Sequence, residues 1–118
     1  MRKLRVKALS AVELPDLNAF VVVLAEEADG SGARLEIQKA LSFDEQDRRL
    51  GQDTYCLCTE EGATHYGGVL SWALTNDSLE IRLDAKAARA LNVESGFVVN
   101  FASKDQPTLK AGLERVLG

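Results

Sequence analysis

Five consecutive apolar residues, Phe20-Val21-Val22-Val23-Leu24, constrain the fold more than any other stretch of the chain. A β-branched and aromatic run without alternation suits a central strand covered on both faces. The neighbouring segments carry a different pattern. Leu4, Val6, Ala8, Ser10 and Val12 alternate with more polar residues, which reads as one strand from Leu4 to Leu14, exposed on one side and ended by Pro15-Asp16. After the turn Asp29-Gly30-Ser31-Gly32, the segment Ala33 to Lys39 alternates again, with Leu35 and Ile37 inward and Arg34, Glu36 and Gln38 outward.

The second half begins with a short helical turn within Ala40 to Gly51, then a β-hairpin from Thr54 to Trp72 around Glu60-Glu61-Gly62-Ala63. A four-residue turn sets Thr59 opposite Thr64, Cys58 opposite His65, Leu57 opposite Tyr66, Cys56 opposite Gly67 and Tyr55 opposite Gly68. Tyr55, Leu57, Tyr66, Leu70 and Trp72 then face the core, while Cys56, Cys58, His65, Val69 and Ser71 face away. A three-residue turn would reverse that parity. Gly67-Gly68 also permits a bulge.

Leu79 to Leu83 alternates with Glu80 and Arg82 outside, and Asp84 is placed to cap a helix over Ala85 to Leu91 that Asn92 and Val93 end. Gly96 to Ala102 gives a last strand with Phe97, Val99 and Phe101 inward. Pro107, followed by Leu109, Leu113, Val116 and Leu117, marks a closing amphipathic helix. The expected architecture is α+β: a mostly antiparallel curled sheet of about seven strands, a sandwich or open barrel, with two short helices, the second at the C-terminus. It forms a single domain over residues 1–118.

At 118 residues and 46 % hydrophobic the chain supports one core, and its net charge of -4 with scattered Lys and Arg argues against nucleic acid as a partner. The basic start Arg2, Lys3, Arg5, Lys7 reads as the solvent face of an edge strand. No apolar run approaches the roughly 18 residues of a membrane span, and Met1-Arg2-Lys3-Leu4 lacks a secretion signal's apolar core, so a cytoplasmic protein is expected. Cys56 and Cys58, two apart on one strand, are expected as thiols.

Two groups of residues carry candidate chemistry. Cys56, Cys58 and His65, on one face in the proposed register, would offer three metal ligands or a thiol–imidazole pair, hence the alternative of a small metal- or ligand-dependent enzyme or binding protein. Neither a fourth ligand, an oxyanion hole nor an orienting third residue accompanies them. Packing of small side chains is the better reading, with no catalytic residue, no metal and no cofactor assigned. The second group is the acidic patch Asp44, Glu45, Asp47 and Asp53, extended by Glu60 and Glu61 at the hairpin tip. It lacks the ligand spacing of a calcium loop and suits recognition of a basic protein.

The strings Phe43-Asp44-Glu45-Gln46-Asp47, Leu50-Gly51-Gln52-Asp53-Thr54-Tyr55-Cys56 and Glu61-Gly62-Ala63-Thr64-His65-Tyr66-Gly67-Gly68-Val69 resemble the immunity protein ten family of bacterial polymorphic toxin systems. With Leu83-Asp84-x-x-Ala87-Ala88-x-x-Leu91, the likeness runs over residues 34–99. The resemblance implies a small cytoplasmic antitoxin, encoded beside a toxin, that binds and blocks that toxin domain. A rigid scaffold with an exposed complementary surface serves that role, the acidic residues being the expected contact for a basic toxin. Homodimerisation through an edge strand stays open.

Overall fold

The computed structural model describes residues 1–118 and places nine strands in two sheets, with three α-helices, where one curled sheet of seven strands and two helices was expected. The difference arises because two of the expected strands each pass from one sheet to the other. Over Leu4 to Leu14 the chain forms β1 (Arg2–Arg5) and β2 (Ala8–Leu14). At the junction the Val6 N–H donates to the Asn100 carbonyl at 2.8 Å, and the next N–H, of Lys7, donates to Ala25 at 2.9 Å. Those two acceptors belong to different sheets. Parity changes there too: Leu4 and Val6 are buried, whereas in β2 it is Leu9 and Ala11 that pack on the core.

The five-stranded sheet is an antiparallel meander in the order β2, β3 (Ala19–Ala25), β4 (Arg34–Ala40), β5 (Cys56–Thr59) and β6 (Thr64–Tyr66). The four-stranded sheet has the order β1, β9 (Gly96–Asn100), β8 (Ser78–Leu83), β7 (Val69–Leu74). Only β1 and β9 run parallel. Inner-face residues of both sheets, among them Val22, Leu24, Leu35, Ile37, Leu57, Leu79, Ile81 and Phe97, join Leu109 and Leu113 of α3 (Gln106–Leu117) in one core cluster. The closing helix is therefore the expected one, packed against β2, β3 and β4.

The hairpin turn is one residue shorter than expected. Thr59 N–H donates to the Ala63 carbonyl at 3.0 Å and Gly62 N–H to Thr59 at 3.1 Å, so Glu60, Glu61 and Gly62 make the turn. Gly62 sits at φ +80°, the left-handed position that a three-residue hairpin loop needs. The register becomes Cys58 opposite Thr64, Leu57 opposite His65 and Cys56 opposite Tyr66. A one-residue slip exchanges the faces. His65 therefore joins Leu57 on the inner side, and Tyr66 joins Cys56 and Cys58 on the outer one.

The second crossing falls at Gly67-Gly68, which ends the hairpin before Trp72. Gly67 N–H still donates to Tyr55 at 3.0 Å, while the Gly68 carbonyl accepts from Asp84 N–H, in the other sheet's connection, at 2.9 Å. Tyr55 keeps its place beside this segment, its hydroxyl accepting the Val69 N–H at 2.8 Å. A bulge between Val69 and Ser71 then corrects two further expectations: Val69 packs on the core and Leu70 is 69 % exposed. Trp72 remains half-buried against the core, as expected.

Gly68 is where this crossing meets α2 (Ala85–Ala90), capped by Asp84, whose Oδ1 accepts the Ala87 N–H at 2.7 Å. A Cβ at Gly68, φ +96°, would lie 2.4 Å from the Ala87 Cβ. The prediction is that Gly68→Ala lowers the unfolding free energy by about 2–4 kcal/mol in urea titrations, through backbone strain and overpacking together. Ala87→Gly in the same chain should recover part of that loss. An identical cost in both backgrounds would remove the contact as the cause.

Candidate partner-binding surface

The acidic stretch folds into α1 (Glu45–Arg49), a five-residue helix that buries none of its residues and is held by its ends. Asp47 N–H donates to Asp44 Oδ1 at 2.7 Å and Asp44 N–H to Asp47 Oδ2 at 3.0 Å, a capping box closed by two aspartates. At the other end Gln52 N–H reaches the Asp47 carbonyl at 2.8 Å and Gly51 N–H the Arg48 carbonyl at 3.2 Å, the paired bonds of a Schellman stop. So short a helix is marginal alone, and these caps fix its position. Asp44, Glu45 and Asp53 are exposed and Asp47 half-buried. Arg48 and Arg49 stand among them, Arg49 pairing with Glu45 at 3.1 Å, an exposed contact worth little.

The hairpin tip divides the other two acidic candidates. Glu61 is exposed. Glu60 turns inward, where its Oε1 accepts from the Arg2 guanidinium and, at 2.9 Å, from the Arg34 backbone N–H. That carboxylate joins β1 of one sheet to the start of β4 and the hairpin of the other. Arg2, expected on a solvent face with Lys3 and Arg5, is correspondingly turned toward the sheet junction. Glu60 thus anchors the tip.

The Cys56, Cys58, His65 group does not form one face. Cys56 and Cys58 are free thiols on the outer side, Sγ to Sγ 3.8 Å. His65 lies opposite Leu57 on the inner side, with its Nδ1 3.2 Å from the Gly67 carbonyl, a contact that an Nδ1–H tautomer satisfies. The metal-site and thiol–imidazole alternatives both required the other register. The thiols nonetheless act on each other: a hydrogen bond from Cys58 holds the Cys56 thiol down to about 7 against the opposing effect of burial, with the His65 backbone helping. The same bond, burial and the Cys56 charge push Cys58 well above its ordinary 9.0.

The longer turn expected from the sequence put Tyr66 in the core, and nothing in the patterning marked Leu17 as an outward apolar group near α1. Tyr66 is 42 % exposed and Leu17, in the β2–β3 connection, 73 % exposed. Together with Gln38, Cys56, Gln52 and Asp47 they line a cavity of about 190 Å³ between α1 and the outer side of the five-stranded sheet. Partial burial raises the Tyr66 hydroxyl from its ordinary 10.0, and negative charge at Cys56, Cys58 and Asp47 adds to the effect.

Two measurements check this description. Burial raises the Glu60 carboxyl, but its bonds to Arg2 and Arg34 outweigh that and leave it below its ordinary 4.5. A depressed carboxylate stabilises the fold above its unfolded value and loses that contribution as pH falls through the folded one. Glu60→Gln is therefore predicted to cost about 1 kcal/mol at neutral pH, the difference from wild type closing as pH drops below 4.5. For the thiols, the prediction is an alkylation rate at Cys56 with its midpoint near 7, moving toward 9.0 in Cys58→Ala. An unmoved midpoint would rule out the sulfur–sulfur hydrogen bond.

Neither a curated protein nor a solved structure matches the chain. No helix is long and apolar enough to cross a membrane. The family model described as immunity protein 10 matches residues 5–108, which takes in β2 to β9, α1, α2 and the start of α3. The chain belongs to the immunity protein 10 family.

Proposed function

We propose that this protein neutralises a cognate toxin domain of a bacterial polymorphic toxin system by binding it, with no chemistry of its own. The observation that carries the proposal is the family match over residues 5–108, and the site geometry is consistent with it. An inhibitor needs a surface held still before the partner arrives, since ordering it on binding weakens affinity. The doubly capped α1 supplies one, with Asp44, Glu45 and Asp47 in place and Asp53 exposed just beyond. Glu61 continues the negative charge at the hairpin tip, and Glu60, through Arg2 and Arg34, fixes the tip's position. Such a surface selects a basic toxin and speeds its approach. The protein acts in the cytoplasm of the toxin-producing cell or its kin, as a single domain over residues 1–118.

Substitutions that leave the capping bonds intact give the test. In the triple variant Glu45→Lys/Asp53→Lys/Glu61→Lys, association with the toxin domain encoded beside this gene is predicted to slow about tenfold or more at low salt, with a weaker salt dependence. Unchanged association kinetics would place the contact elsewhere. If the wild-type chain neither binds nor protects cells from that toxin, the immunity reading itself fails.

A further inference from the structure

We infer that the outer face of the five-stranded sheet is the docking surface for the toxin, and that the cleft between α1 and this face receives an arginine side chain from it. The inference rests on the immunity reading and adds to it a surface, an anchor and the chemistry of both.

The first observation is β3 itself. Val22 and Leu24 are fully buried on its inner side, whereas Val21 and Val23 point to the outer face, where Val21 is 9 % exposed between its strand neighbours and Val23 is half-buried. Pairing across the sheet places Val12, Val21, Gln38, Cys56 and Tyr66 in one outward row, and Ser10, Val23, Glu36, Cys58 and Thr64 in the next. α3 packs on the inner side, with Gly112 against Ala11 and Val22, and α2 lies by Gly68, so neither crosses the outer face. The outward positions of the other sheet are more polar, with Lys3, Arg5, Glu80 and Arg82 around Val98. The outer face of the five-stranded sheet sets the apolar group Val12, Val21, Val23 and Tyr66 beside Glu36 and Gln38, and no helix crosses it. Patches of that kind mark interaction sites.

The second observation is the charge around it. The cleft is lined by Leu17, Gln38, Asp47, Gln52 and Tyr66 among others, and Asp47 is its one acidic group. Lys39 also borders it, but occupies the opposite face of β4, in the row of Glu13 and Phe20. Asp47 Oδ2 is engaged by the Asp44 N–H, while Oδ1 accepts no hydrogen bond from the chain. A guanidinium entering the cleft would find that oxygen, the amide oxygens of Gln38 and Gln52, and the exposed Tyr66 ring on which to stack. Outside the cleft Asp44, Glu45 and Asp53 outnumber Arg48 and Arg49 of the same stretch, so the local charge stays negative. Arginine on an otherwise apolar contact is the combination that protein interfaces concentrate at their centres.

Dimensions agree with a protein partner. Five strands about 4.8 Å apart and up to seven residues long at about 3.3 Å each give a face of roughly 20 by 20 Å. That is on the order of half the roughly 800 Å² a standard interface takes from each partner. Leu17, Leu50 and α1 rise beside the face and extend the area.

The test uses the whole chain and the toxin domain encoded beside its gene. Tyr66→Ala, and Asp47→Asn, which keeps an oxygen for the Asp44 N–H but removes the charge, are each expected to weaken binding tenfold or more. Arg82→Glu, on the outer face of the other sheet, should leave it unchanged. A second measurement needs no variant: Cys56, which lines the cleft on the docking face, should react with maleimide at least tenfold more slowly in the complex than in the free protein. Tight toxin binding with unaltered Cys56 reactivity and wild-type affinity in both variants would overturn the inference and leave the immunity reading standing. So would finding that Tyr66→Ala changes self-association in place of toxin affinity, since the face would then join two copies of this chain. A wild-type chain that does not bind the toxin overturns both.

Discussion

The two places where the chain leaves one sheet for the other determine the rest of the molecule. At Val6-Lys7 successive amide groups bond into different sheets, and at Gly67-Gly68 the same exchange occurs in the opposite sense. Each crossing joins the sheets without a long connection, so little loop-closure entropy is spent holding them together. The crossings also oblige the inner faces to meet, and the core cluster is drawn from both sheets and α3. At the far end of the hairpin the Glu60 carboxylate adds a polar tie between β1 and β4. Its second oxygen and the Arg34 Nε are buried without hydrogen bonds, Arg34 facing Glu36 at 3.6 Å. The tie is therefore a joint of modest strength, and the apolar core carries most of the stability.

What could be read from the sequence divides along the range of the forces involved. Local signals were legible: Asp84 caps α2, Asn92 and Val93 end it, and Pro107 opens α3. Inward positions within single strands, such as Leu35 and Ile37 or Phe97 and Val99, followed from alternation. The sheet crossings were not legible, because side-chain patterning does not record which strand an amide bonds to. Only Gly67-Gly68 left a trace, and a glycine pair in a strand signals a bulge as readily as a change of sheet. The hairpin register turned on whether Gly62 occupies a left-handed position, a one-residue matter with a large effect: it moved His65 inward and Tyr66 outward. With that slip the supposed three-ligand face disappeared and an exposed aromatic took its place.

The acidic stretch shows a different kind of ambiguity, since residues proposed to meet a partner also cap a helix. Asp44 and Asp47 look like charge for a partner, and they are also each other's helix cap. The two roles reinforce one another, because a carboxylate accepting a backbone N–H with one oxygen is oriented while the other oxygen stays free for a ligand. A capping box closed by aspartate in place of the more usual glutamate or glutamine is easily mistaken for a plain acidic run. Glu60, by contrast, spends its charge within the fold.

A sheet face of the kind proposed to dock a partner must not be offered to other copies of the same chain. The strand edges, where unpaired backbone groups would invite pairing, are managed individually. β6 is three residues long, β7 carries a bulge, and β1 presents Lys3 and Arg5. The longest free edge, β2, carries near its end Glu13, which pairs with Arg115 at 3.0 Å while that guanidinium lies 4.5 Å over the Phe20 ring. Edge protection restrains aggregation through the backbone, and a net charge of -4 restrains it through repulsion between like molecules. The same negative charge would attract a basic partner of the kind proposed, so one property of the surface both keeps copies apart and suits the proposed docking.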